Sequence, residues 1–175
     1  MYLNCHSYFS LRSGTFSPES LAKTAKQKGA TSIALTDVNN TSAGIDFLNA
    51  CQSAGIKGVV GIEFRNPKNE LLYIGLPKNQ DGFQELAELL TLTLKDAEEL
   101  PQIPPTSDAV FYVIPFRDEL KISQFAKNHY FGITHYWAQK NFRHSIWKHP
   151  KKLVALHPVF FPRKKAHFEL HQVLK

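Results

Sequence analysis

Residues able to do chemistry fall in three short stretches, Leu3-Asn4-Cys5-His6-Ser7, Leu35-Thr36-Asp37-Val38-Asn39-Asn40 and Gly61-Ile62-Glu63. An imidazole and two carboxylates suit zinc or manganese, and a bound divalent cation converts water into a nucleophile near neutral pH. If His6, Asp37 and Glu63 meet in space, metal-assisted hydrolysis is the chemistry open to them. A structural reading stands beside it. A lone His at a strand end commonly serves as a hydrogen-bonding group, and Asp37, Asn40 and Thr41 are also turn and helix-cap types. Cys5 alternates with Asn4 and His6 along an extended chain, so it points the other way, into a core.

The elements that must position these residues are legible in the pattern. Tyr2 to His6 reads as a strand. Ser17-Pro18-Glu19-Ser20 starts a helix, with Ser17 as N-cap and Pro18 at the first helical position. That helix lays Leu21, Ala22 and Ala25 on one face and stops at Gly29. Thr31 to Thr36 is a strand. A helix from Thr41 to Ala54 follows, with Ile45, Leu48 and Cys51 inward, and ends at Gly55. Ile56 to Phe64 has the continuous apolar character of a parallel-sheet strand.

Further strands are expected at Leu71–Leu76, Ala109–Ile114, Tyr130–Thr134 and Leu153–Leu156. Helices are expected at Phe83–Leu94, Glu119–Ala126, Tyr136–Ile146 and from about Lys165. Pro101, Pro104 and Pro105 mark a loop rather than a domain boundary. Seven strands with interleaved helices predict an α/β fold of barrel type, as one domain over residues 1–175. Chemistry in such barrels gathers where strands end. Those ends are Asn4 to Ser7, Asp37 to Asn40, Glu63, Lys78-Asn79 and His157.

Composition narrows the class of partner. Hydrophobic residues make up 43% and charged residues 21% of 175, as in ordinary globular domains. No apolar run approaches the ~20 residues of a membrane span, and the first residues lack the pattern of a signal peptide. Two cysteines make no disulfide framework, so a reducing cytoplasm is the default compartment. Residues 1–100 carry 9 Lys/Arg against 11 Asp/Glu, whereas residues 101–175 carry 12 against 4. The basic half could face nucleic acid or an acidic partner, or be a solvated surface. Within it Phe131, Tyr136, Trp137, Phe142 and Trp147 interleave with Lys140, Arg143 and Lys148. That mixture suits single-stranded nucleic acid, although an amphipathic helix with an aromatic core face is favoured. The seven histidines after residue 128 read as surface groups.

The ordered motifs resemble the polymerase and histidinol phosphatase (PHP) domains, above all the one that opens the α subunit of bacterial DNA polymerase III. That group begins with a His-x-His strand followed by a Ser, then a Gly-containing loop and helix. Next come Leu-Thr-Asp-His-x-Asn, a Lys-x-x-x-Gly-x-Glu strand and a Lys-Asn turn. This chain has Asn4-Cys5-His6-Ser7, Ser10-Leu11-Arg12-Ser13-Gly14, Leu35-Thr36-Asp37-Val38-Asn39-Asn40, Lys57-Gly58-Val59-Val60-Gly61-Ile62-Glu63 and Lys78-Asn79. The likeness covers residues 1 to 95 and recovers late, at Val154-Ala155-Leu156-His157-Pro158-Val159-Phe160 and in a helix carrying His171. It implies a distorted (β/α)7 TIM-like barrel, truncated at its C-terminal side. It also implies a place at the start of a longer polymerase chain, whose remainder would carry nucleotidyl transfer. The partners implied are that remainder, DNA through it and a proofreading exonuclease.

The departures decide the expected chemistry. Asn4 replaces the first ligand His, Val38 replaces the His after the Asp, and Ser13 replaces an acid. Leu72 stands at a later His position, and Pro158 and Phe160 stand where the family has Asp-x-His. Apolar side chains offer a cation no donor, and Asn4 offers only a neutral amide oxygen. A vestigial pocket of Asn4, His6, Ser13, Asp37, Val38, Asn40, Glu63, Leu72, His157, Pro158 and Phe160 is therefore expected, with neither metal nor catalysis. The alternative is a reduced zinc or manganese site on His6, Asp37 and Glu63, serving a phosphoesterase or 3′–5′ exonuclease. A free-standing basic DNA-binding module is the third reading.

Overall fold

The computed structural model describes residues 1–95, 100–117, 123, 125–160 and 165–174, apart from the side chains of Ala166, His171 and Leu174. Most of the expected helix at 119–126 lies outside them, as do Arg163 and Lys164. In chain order the elements are β1 (Tyr2–Cys5), α1 (Pro18–Gln27), β2 (Ser32–Val38), α2 (Gly44–Ala54), β3 (Lys57–Arg65), β4 (Leu71–Pro77) and α3 (Gln80–Lys95). They continue with β5 (Val110–Pro115), β6 (His129–Ile133), α4 (His135–Lys140), β7 (Leu153–Ala155) and α5 (Lys165–Leu174). Two 3₁₀ turns, Ser145–Lys148 and Pro150–Lys152, separate α4 from β7.

One seven-stranded sheet runs in sequence order from β1 to β7. The β1–β2–β3 and β5–β6–β7 pairings are parallel, and β4 is antiparallel to both its neighbours. Direction reverses at β4 because only Asn66 to Glu70 separate it from β3, too few residues for the crossover that a parallel pair needs. That connection is a tight turn: Asn69 takes a positive φ of 65°, and the Asn66 side chain accepts a hydrogen bond from the Glu70 N–H at 2.9 Å. The sheet curls until the segment after β7 lies along β1. Cys5 bridges Val159, the His6 N–H donates to the Val159 carbonyl at 2.9 Å, and the Val159 N–H donates to the Asn4 carbonyl at 2.8 Å.

Helices cover the outside of the curl. α1 starts as its residues require: Ser17 is extended and its side chain accepts from the Ser20 N–H, while Pro18 lacks only an N–H that would have been orphaned. Leu21, Ala22 and Ala25 are its buried face. They join Phe47 and Cys51 of α2 and Ile33, Leu35 and Val60 of the sheet in one apolar cluster. α2 departs from its expected form in two ways. It begins at Gly44 without a side-chain cap, because Asn40 instead accepts from the Ser42 N–H in the turn before it. Its inward face is Gly44, Phe47 and Cys51, while Ile45 and Leu48 are exposed. Docking on the sheet selects the stripe that carries the bulkier Phe47.

A second cluster gathers Leu86 and Leu90 of α3 with Phe64, Leu72, Tyr73, Tyr112 and Ile114. The proline-rich connection after α3 is held against the fold. The Asn128 side chain donates to the Ser107 carbonyl at 2.7 Å and His129 to the Pro105 carbonyl at 3.2 Å. His129 is thus buried, contrary to its reading as a surface group, because it opens β6 edge-on against Tyr112 and Phe125. Burial above all holds its pKa below the ordinary value. Among the described residues no helix is long and apolar enough to cross a membrane.

Candidate functional site

Parallel strands in register end together, which brings the first three motifs to one rim: Val38 at the end of β2 pairs with Glu63 of β3. Reversed β4 contributes its first residue there, Leu71, paired with Arg65. Pro115 closes β5, and Thr134 and Leu156 follow β6 and β7. Asn4, Glu63, Arg65, Leu71, Arg117, Pro158 and Phe160 are among the residues lining a cavity of about 560 Å³ at this mouth.

Glu63 is the centre of one polar cluster. Its Oε2 accepts from Asn4 Nδ2 at 2.6 Å and from His6 Nε2 at 2.9 Å. Its Oε1 accepts from Arg65 Nε at 2.6 Å and from an Arg65 terminal nitrogen. Arg65 also donates to Asn69 Oδ1 at 3.1 Å. Asn4 uses its remaining amide hydrogen on Thr36 Oγ1. The His6 ring stacks on Phe160 at 4.5 Å and 16°. Asn4, His6, Thr36 and Glu63 are all buried. Burial by itself would raise the Glu63 carboxyl. The His6 hydrogen bond and charge, with Arg65 and Asn4, outweigh it and hold the group below its ordinary value.

Asp37 is the centre of a second, separate cluster. Oδ1 accepts from the Ser7 N–H at 2.7 Å and the Ser10 hydroxyl at 2.6 Å, and Oδ2 accepts from the Ser7 hydroxyl at 2.6 Å. Ser10 Oγ in turn accepts from the Val38 N–H at 3.0 Å. The loop after β1 is folded over this carboxylate. Gly14 permits that closure, since a Cβ there would lie 1.9 Å from the Ser7 carbonyl oxygen.

The other expected pocket residues divide. Phe160 and Pro158 reach the mouth. Leu72 is buried in the second apolar cluster, and its neighbour Leu71 lines the cavity instead. Asn40 ties the loop by donating to the Phe9 carbonyl at 3.1 Å. Ser13 N–H bonds the Ser10 carbonyl at 2.9 Å, and His157 is exposed. Lys78 and Asn79 belong to the opposite rim, because β4 runs backwards; Asn79 Oδ1 accepts from the Gly82 N–H in the first turn of α3. Arg65 is a neighbour that the motif reading passed over, whereas Ser7 and Ser10 stand in the motifs without a role assigned to them. Arg65 was detectable, since residues two apart on a strand share a face and it lies two after Glu63.

The residues present do not fit a bound divalent cation. Among the described residues no three His, Cys, Asp or Glu side chains gather closely enough to hold one. Glu63 meets four protein donors and Asp37 three, and the Arg65 guanidinium lies against Glu63, where a cation would be repelled. Within the two clusters Asn4 Oδ1 and His6 Nδ1 are buried without a hydrogen-bond partner, and these two atoms are fewer than the three or four protein ligands of a zinc site.

The PHP domain family model matches residues 3–149. The chain belongs to the PHP family. This PHP domain is 33% identical over 100 residues to the DNA polymerase III subunit alpha of Buchnera aphidicola subsp. Schizaphis graminum, covering 54% of this chain and 9% of that protein. It is 38% identical over 102 residues to the DNA polymerase III subunit alpha of Treponema pallidum, covering 51% and 9%. An error-prone DNA polymerase from Symbiobacterium thermophilum is 32% identical over 122 residues, 69% of this chain and 11% of that protein. The matches thus span about a tenth or less of these relatives. A solved amidohydrolase from Chromobacterium violaceum aligns with a TM-score of 0.38 at 23% identity, over 55% of this chain and 35% of that one.

Proposed function

We propose that this PHP domain, read as a single unit over residues 1–175, is a metal-free, non-catalytic part of a replicative DNA polymerase α chain. Its role is structural: it supports the rest of that chain and docks a partner, a separate proofreading exonuclease being the partner the family resemblance implies. The observation that carries this reading is that protein donors engage both surviving carboxylates. Glu63 is neutralised by Arg65 and tied to His6 and Asn4, and Asp37 is consumed by Ser7 and Ser10. A hydrolytic metal site needs deprotonated donors turned toward an ion and a position left for water. Here the donors are turned toward each other, and an arginine supplies the positive charge.

The test is elemental analysis of untagged protein, together with phosphodiester hydrolysis in added zinc or manganese. Metal far below one equivalent and no hydrolysis above a blank are expected. Stoichiometric metal, with activity lost in His6→Ala and Glu63→Ala, would make the domain a nuclease and sink the proposal.

A further inference from the structure

Residues 120–168 contain no Asp or Glu, yet hold ten Lys/Arg and six His. Within this stretch the turn between β6 and β7 carries exposed rings. Tyr136 is 66% exposed, Phe142 67% and Trp147 37%. Two of them lie under a cation: Lys140 Nζ sits 4.3 Å from the Tyr136 ring centre and the Arg143 guanidinium 5.2 Å from that of Phe142; Lys148 follows Trp147 in sequence. The expected continuous helix with an aromatic core face is absent. α4 ends at Lys140, and the chain turns there into a 3₁₀ segment.

The rings are held outward by a fixed scaffold. Trp137 packs edge-on against Phe116 at 4.5 Å and His144 at 5.4 Å. Ile146 is buried, and Trp147 Nε1 donates to the Asn141 carbonyl at 2.8 Å. Leaving such apolar area in water is unfavourable unless something covers it. Flat apolar faces beside exposed cations, with no carboxylate nearby in sequence, match one ligand chemistry: bases stacked on rings and phosphates beside ammonium and guanidinium groups. A duplex hides its base faces, and an acidic protein surface would satisfy the cations alone.

We infer that this turn is a binding surface for single-stranded nucleic acid, with bases on Tyr136, Phe142 and Trp147 and phosphates at Lys140, Arg143 and Lys148. The surface uses none of the residues of the two carboxylate clusters, so it stands whether or not the barrel mouth is inert. Both tryptophans of the chain, Trp137 and Trp147, lie within this turn, which makes intrinsic fluorescence its reporter. The 175-residue chain is titrated with oligo-dT, with a duplex of equal length and with polyglutamate, at several salt concentrations. Oligo-dT is expected to quench the emission and to bind more tightly than either control, with affinity falling as salt rises. Tyr136→Ala/Phe142→Ala should weaken that binding about tenfold or more, the scale of lost stacking, and keep the salt slope. Lys140→Gln/Arg143→Gln/Lys148→Gln should flatten the slope. All five side chains are exposed, and circular dichroism checks that the variants fold. No binding at low salt, equal affinity for duplex or polyglutamate, or an aromatic variant that binds like the parent overturns the proposal.

Discussion

At the scale of single residues, the pairing of buried Glu63 with Arg65 and His6 has a pH signature. Glu63 is buried and its carboxyl is held below its ordinary value by His6, Arg65 and Asn4 against the opposing effect of burial. A group with a lowered folded pKa stabilises the fold above its unfolded pKa, and that contribution is lost as pH falls through the folded value. The parent chain should therefore lose stability on acidification below the ordinary carboxylate value of 4.5. Glu63→Gln should be less stable near neutrality by about 2–3 kcal/mol, the scale of hydrogen bonds to a charged group, and flatter with pH. Denaturant titrations from neutral to acidic pH check this; parallel curves for the two proteins would remove Glu63 from the account. Which side chains survived was readable in the sequence. Their partners were not, because Ser7 and Ser10 meet Asp37 across 30 and 27 residues of chain.

At the scale of elements, α2 separates periodicity from packing. Ile45 and Leu48 match a helical stripe as well as Phe47 and Cys51 do, and only docking on β3 decides between them. Cys51 and Leu48 both approach Gly58, within 3.0–3.2 Å of where its Cβ would be. Phe47 is completely buried and Ile45 is 76% exposed. Phe47→Ala should cost about 3–5 kcal/mol, whereas Ile45→Ala should stay within about 0.5 kcal/mol. Equal losses by thermal or urea unfolding would mean the helix face is misassigned. Caps were more legible than faces. Ser17 and Pro18 act locally, so their positions could be read directly, as could the positive φ of 65° at Gly55 that ends α2.

At the scale of the whole molecule, the curl of the sheet seals Cys5, and the packing of α2 buries Cys51. Cys5 lies in the strand that bridges Val159, and burial pushes its thiol up to about 12 and that of Cys51 to about 11. Thiolate is the reactive form, so both should resist a thiol reagent near neutral pH while the fold is closed. Labelling should follow opening of the structure and rise together with unfolding in a urea series. Rapid labelling of Cys5 alone in the native protein would show that the β1–Val159 closure opens independently.

The sequence by itself determined the order of the strands and of the described helices, the capping of α1, the family likeness and the loss of donors at Asn4, Val38 and Phe160. These are matters of residue type and local period, which need no distant partner to act. Tertiary structure alone decided the reversal of β4, which sends Lys78 and Asn79 to the far rim, and the partition of Asp37 and Glu63 into two separate clusters. It also decided which rings face water between β6 and β7. Strand direction here follows from the length of a turn and its hydrogen bonds. Cluster membership follows from which loop folds over which carboxylate, and exposure from what the rest of the chain leaves uncovered. The last two are contacts between segments far apart in sequence, on which local periodicity is silent, whereas the turn is local and acts through its length.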